Sequence, residues 1–187
     1  MTTIPVYHLD AFSDRVFAGN PAAVCPLEEW LPDRTLQAIA VENNLSETAY
    51  FVRRDGGEYD LRWFTPAVEV DLCGHATLAA GHVVLTRLDG DLDAVTFHSR
   101  SGPLTVARDG DRLAMDLPAR PPQPGSDIDA ADLAAALGAE PVEVLSARDT
   151  LAVFDSENEV RDLRPDMDGI ARLDTFAVIA TAPGDAV

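Results

Sequence analysis

The stretch "DLCGHATLAAGHVV" spans residues 71–84, and its reading decides the fold. Ala76, Leu78, Ala79, Ala80, Val83, Val84 and Leu85 leave almost no polar face on a helix expected from Gly74 to Leu88. A helix that is apolar on nearly every side is surrounded by protein. Yet it opens on Cys73, Gly74 and His75, residues suited to chemistry more than to packing. A helix start presents free backbone N–H groups and a partial positive charge, and carboxylates bind well there. A glycine at that point lets a ligand approach the backbone. The opening is therefore expected to floor an anion-binding pocket, with Gly74 contacting substrate. Cys73 is expected to have a lowered thiol pKa there, and Cys73 and His75 are both able to move protons. The plainer reading is a small buried thiol beside a capping histidine.

On either side of this helix the chain reads as strands. IPVYHLDAF (4–12) is one, and GNPAAVCPL (19–27) is a turn followed by a short strand. PDRTLQAIAVENN (32–44) carries apolar residues at helical spacing, with Pro32 and Asp33 suited to its first turn. ETAYFVRR (47–54) and EYDLRWFT (58–65), joined by Asp-Gly-Gly, form a hairpin. After the helix, residues 94–118 give three short strands with turns at Ser-Gly-Pro and Asp-Gly-Asp. Strands wrapped on one buried helix, without regular β-α-β alternation, make this an α+β chain. ARPPQPGSD (119–127) reads as a linker. A helix at 129–137, strands near 141–147 and 150–155, a weak helix near 165–172 and a buried strand TFAVIATA (175–182) follow. The expected division is a first domain at 1–118, the linker at 119–127, and a partial second domain at 128–187.

Two more stretches carry chemistry. In NNLSETAYF (43–51), Ser46-Glu47-Thr48 stands between a helix end and an inward-facing strand. A Glu leading into apolar residues is expected to be partly desolvated, and burial moves a carboxyl toward the working range of a general acid or base. In FAGNPAAV (17–24), Gly-Asn-Pro favours a tight turn, and Asn20 is placed to donate to a ligand carboxylate. Each also reads as an ordinary edge residue or turn. His8 and His82 read as structural. No two His or Cys lie at ligand spacing with a third partner, so no metal site is expected.

Composition narrows the function classes. With 14 Lys plus Arg against 32 Asp plus Glu, the formal charge is −18, which disfavours a phosphate backbone or an anionic membrane as partner. Two cysteines, Cys25 and Cys73, make no disulfide framework. The start lacks the basic and apolar regions of a signal peptide, and no apolar run is long enough to span a membrane. A cytoplasmic location is the expectation.

Taken together, FAGNPAAV, NLSETAYFV and LRWFTPAVEVDLCGHATLAAGHVV resemble the phenazine biosynthesis PhzF-like proteins, which share the diaminopimelate epimerase fold. The resemblance covers residues 4–120 strongly and the remainder more faintly. It implies two similar domains, each a rolled mixed sheet around a central helix, with the active site in the cleft between them. It implies a cofactor-independent isomerase acting on a small carboxylate-bearing substrate, and a homodimer. The type enzyme moves a proton on a dihydro-hydroxyanthranilate. Its catalytic Glu matches Glu47 and its active-site His matches His75. Ser46, in the same motif, is expected to contact substrate with Asn20 and Gly74.

Two departures keep other readings open. The family's second half supplies an acidic-Pro-x-x-Gly-Ser-type loop that is not found before Val187, so the second domain is expected to be incomplete. A non-catalytic remnant acting by dimerisation or partner binding is therefore one alternative. Cys73 also stands where racemases of this fold keep one of two catalytic thiols, which makes a cofactor-independent amino-acid racemase or epimerase the other.

Overall fold

The computed structural model describes residues 3–184. The chain forms two compact units, one ending at Leu117 and the other beginning at Pro118.

The first unit runs β1 (Tyr7–Ala11), β2 (Asn20–Leu27), α1 (Asp33–Asn43), β3 (Glu47–Arg53), β4 (Tyr59–Phe64), β5 (Glu69–Val70), α2 (Gly74–Val83), a π-helical turn (Val84–Leu88), β6 (Ala94–Ser99), β7 (Gly102–Asp109) and β8 (Arg112–Met115). Seven strands follow the order β1-β2-β3-β4-β6-β7-β8, and β5 adds to β4. The β2–β3 and β4–β6 pairs are parallel; the others are antiparallel. The sheet wraps α2: the helix touches β1, β2 and β3 at one end of the strand order and β7 and β8 at the other. A flat sheet offers a helix only neighbouring strands, so contact from both ends requires the sheet to curl around it.

Small side chains on α2 make the wrap tight. Ala76, Ala80 and Gly81 are buried. A Cβ at Gly81 would lie 2.6 Å from Val106 Cγ1 on β7, so this glycine is required by helix–sheet packing. Around α2 lie Ala49, Phe51, Tyr59, Leu61, Trp63, Phe97 and Leu104, with the Phe51 and Tyr59 rings edge to face at 5.2 Å. The outer face of the same sheet is covered by α1. Leu36 and Ala40 pack there on Cys25, Tyr50 and Phe64, and the Tyr50 hydroxyl donates to Leu36 O at 2.8 Å. The two-residue period of β3 divides it between these cores: Ala49 and Phe51 inward, Tyr50 outward.

The helix expected over 74–88 is regular only to Val83. From Val84 to Leu88 it widens into a π turn, closed by Asp89 N–H on Val84 O. The Arg108 guanidinium donates to Leu85 O and Leu92 O, so side-chain donors serve carbonyls at the altered turn. His82 differs from its expected place too, since it lies on the exposed side of α2. Burial that persists around it and the charges of Arg87 and Arg108 hold its pKa below the ordinary value.

The second unit holds β9 (Gln123–Pro124), α3 (Ala130–Leu137), β10 (Glu143–Ser146), β11 (Thr150–Val153), α4 (Glu157–Asp162), α5 (Met167–Arg172) and β12 (Val178–Thr181). Its sheet runs β12-β11-β10-β9, so residues 123–124 of the proline-rich stretch join a strand ladder. Leu133 and Leu137 of α3 bury against Ala152 and Phe154. Asp129 caps α3, accepting from Ala131 N–H at 2.8 Å. The buried strand expected over 175–182 is shorter and partly exposed. Among the described residues it is an edge strand, paired with β11 alone, and Phe176 before it is 62% exposed. Among the described residues no helix is long and apolar enough to cross a membrane.

Candidate active site

The parallel β2–β3 pair sets Glu47 opposite Ala22 at the start of β3. Glu47 shares a strand face with Ala49 and Phe51, the inward-facing residues, so it is turned toward α2. The start of α2 brings up the other two groups. Cys73 is the last extended residue before the helix, at φ −146° and ψ 112°, and His75 lies in the first turn. Thr77, fully buried, fastens this end, its hydroxyl donating to Cys73 O at 2.6 Å.

The three side chains converge. His75 Nε2 lies 3.2 Å from Glu47 Oε2, and His75 Nδ1 lies 3.5 Å from Cys73 Sγ. The imidazole therefore bridges carboxyl and thiol, one nitrogen to each. Cys73 and His75 are buried, and the Glu47 side chain keeps 19% of its surface open. The Glu47–His75 approach is close but poorly aligned: neither Glu47 Oε2 nor His75 Nε2 has a hydrogen-bond partner of good geometry. Two buried polar atoms without aligned partners point to a group that arrives from outside the chain.

The thiol corrects the expectation drawn from the helix start. Cys73 is pushed up to about 12, first by burial and then by the negative charge of Glu47. The helix acts in the expected direction, because the Ala76 and His75 backbone N–H groups favour the thiolate. Burial and the neighbouring carboxylate outweigh it. Cys73 is therefore an S–H donor at neutral pH, not a ready thiolate.

The expectation of no metal-ligand set also changes. One ligand atom from each of Glu47, Cys73 and His75 lies within 4.8 Å of the others. Sequence spacing revealed only Cys73 and His75; the β2–β3 pairing and the wrapped helix supply Glu47.

Gly74 has an ordinary backbone, and a Cβ there would meet Leu117 Cδ1 at 3.5 Å, a normal contact. The protein does not itself require a glycine here. Asn20 opens β2 and Ser46 immediately precedes Glu47, and both are exposed at the same end of the parallel pair. Among the described residues no side-chain hydrogen bond joins either to Glu47, Cys73 or His75. Cys25 is also pushed up to about 12 by burial, but it belongs to the α1-side core, on the opposite face of the sheet from Cys73. Trp63, which sequence reading did not single out, is a core residue with an unpartnered polar atom among the described residues. It is 1% exposed within the α2-side core, it pairs with Ala49, and its indole N–H has no acceptor. Its only signal in the sequence was a Trp in a strand otherwise suited to packing.

Comparison with known proteins assigns the lineage. The sequence model of the family described as "Phenazine biosynthesis-like protein" matches residues 9–186. A curated protein of Pseudomonas aeruginosa named as an uncharacterized isomerase is 52% identical over 179 residues, which cover 96% of this chain and 68% of that protein. The crystal structure of a PhzF-family phenazine biosynthesis protein from Enterococcus faecalis superposes with a TM-score of 0.88 at 43% identity, covering all of this chain and 71% of the other. A Pseudomonas aeruginosa protein described as a predicted epimerase shares the fold at 22% identity, with a TM-score of 0.73 over 95% of this chain and 70% of its own. The chain thus spans about two thirds of the length of these relatives. It belongs to the phenazine biosynthesis-like PhzF family, with curated relatives named as isomerases, and has the diaminopimelate epimerase-like α+β fold.

Proposed function

We propose that this chain carries the acid–base half-site of an isomerase that moves a proton on a small carboxylate-bearing substrate. The observation that carries the reading is the Glu47–His75 pair, 3.2 Å apart at a buried helix start with both facing atoms lacking aligned partners. The substrate carboxylate rests on the free N–H groups at the start of α2, near Gly74, flanked by Asn20 and Ser46. Glu47 removes a proton from an acidic C–H, and that bond's electron pair becomes a new double bond. The displaced π pair takes the proton back from Glu47 at a second carbon. His75 holds the carboxyl in position and donates where negative charge develops. No electrons are gained or lost, so the step requires no redox cofactor. The reading includes a cytoplasmic location and a homodimer, the second of which light scattering on the purified protein checks.

A two-thiol racemase is the weaker reading. Cys73 has the right neighbours, but Cys25 is buried on the far face of the sheet and is no second base. The test is deuterium exchange. Wild type is incubated in D₂O with dihydro-hydroxyanthranilate and a panel of small unsaturated amino acids, followed by NMR. Glu47→Gln should lose about 10² to 10⁴ in exchange rate, while Cys73→Ala should retain most of it. Equal exchange by Glu47→Gln and wild type would sink the reading and leave a non-catalytic role.

A further inference from the structure

We propose that Glu47, Cys73 and His75 together bind one thiophilic divalent cation, Zn²⁺ being the best fit, and that this ion silences the site. The second half of the proposal rests on the isomerase reading; the binding itself does not.

The donor set argues for the class of ion. A thiol sulfur, an imidazole nitrogen and a carboxylate oxygen combine soft, borderline and hard ligands. That combination suits Zn²⁺ or Co²⁺ and is foreign to Mg²⁺ and Ca²⁺, which take oxygen ligands. Spacing argues for it as well. Two ligands of a tetrahedral ion, each about 2.1 Å from the metal, stand about 3.4 Å apart. Glu47 Oε2 and His75 Nε2 are 3.2 Å apart, and the three-residue set closes within 4.8 Å. Because Nδ1 faces the thiol and Nε2 the carboxylate, the imidazole must turn to bring one nitrogen toward both. Two of the three buried side-chain atoms without a hydrogen-bond partner among the described residues lie in this cluster, Glu47 Oε2 and His75 Nε2, the latter on an imidazole that is more than nine-tenths buried. The Glu47 carboxylate supplies negative charge to offset the cation. Three protein ligands leave a fourth position for water or a substrate carboxylate.

Chemistry then dictates the consequence. Zinc takes the lone pairs on Glu47 and His75 that proton transfer needs, and it displaces the thiol proton of Cys73. The ion therefore competes directly with acid–base work. Thr77, which fixes the Cys73 carbonyl, holds the ligand-bearing turn in place.

Cobalt gives a readout that needs no substrate. The reduced chain, freed of metal with a chelator, is titrated with Co²⁺ and followed by absorption. The expected result is a thiolate-to-cobalt charge-transfer band in the near ultraviolet and tetrahedral bands in the visible, saturating at one ion per chain and erased by Zn²⁺. Cys73→Ser should remove the charge-transfer band, and Cys25→Ala should keep it. Glu47→Gln, which preserves side-chain shape, should weaken binding by about tenfold or more, and it serves as the second variant if Cys73→Ser fails to fold. No charge-transfer band in wild type, or a band unchanged in Cys73→Ser, overturns the proposal. So does full affinity in Glu47→Gln. Zn²⁺ should also stop deuterium exchange, and a chelator should restore it. Metal binding without any exchange would retain the site and discard the isomerase; exchange without a cobalt band would do the reverse.

Discussion

Gly81→Ala tests whether the wrapped helix is as tightly held as the structure requires. The new methyl would lie 2.6, 2.7 and 2.9 Å from three side-chain atoms of Val106. Carbon atoms rest about 3.5 to 4.0 Å apart, so helix or strand must move by about 1 Å. Overpacking of this kind costs about 1 to 3 kcal/mol. Alanine returns about 1 kcal/mol of helix propensity over glycine. The net expectation is destabilisation by up to about 2 kcal/mol, read in urea as a midpoint lower by up to roughly 1 M. Val106→Ala eases the clash without removing it: two of the three contacts go with the valine methyls, and the Cβ at 2.7 Å remains. Gly81→Ala should then cost less than it does beside the valine. The coupling between the two sites is about 1 kcal/mol. A Gly81→Ala protein more stable than wild type, or one destabilised equally with and without Val106, would refute the reasoning.

Two further outcomes follow from local features. Cys25 and Cys73 are held at about 12 in the fold against an ordinary 9.0, so above pH 9 the unfolded chain has released protons that the folded chain still holds. Stability is thus complete below pH 9 and falls between 9 and 12 by about 1.4 kcal/mol per pH unit for each thiol. Urea unfolding at pH 8, 9 and 10 checks this; Cys25→Ala should remove its share of the slope, and a flat profile would contradict the burial. In the second unit, Asp129→Ala should cost about 1 kcal/mol, because the carboxylate accepts from the first turn of α3. Asp129→Asn should restore most of it in the same assay.

The first unit was largely legible because its signals are local. The β3–β4 hairpin follows from Asp55-Gly56-Gly57 between two apolar runs, and both glycines adopt positive φ, 86° and 85°. The buried nature of α2 was written in its composition. Its π turn was not, since that depends on Arg108, more than twenty residues away. Helix α4 went unseen because it buries no residue, although Ser156 and Glu159 form a capping box that the sequence displays. The site was visible as motifs, and the family resemblance supplied its roles. Its geometry was not visible. Nothing local to Glu47 says that it meets His75, and nothing local to Cys73 decides whether helix or burial governs its thiol. Both answers depend on how the sheet closes around the helix.

That closure has a consequence for what the site measures. Glu47 rides on a strand, while Cys73 and His75 ride on the helix that the sheet encloses. The 3.2 Å gap between carboxyl and imidazole is therefore a gauge of the core behind it. A helix advances about 1.5 Å per residue, so a slide of α2 by less than one residue opens the gap beyond hydrogen-bond reach. The small side chains that seat α2 against the sheet thus set a tolerance, as shims set the clearance of a bearing. On the proposed isomerase reading, a change at Gly81, distant in sequence from Glu47, should alter proton transfer at a strain that the fold itself survives.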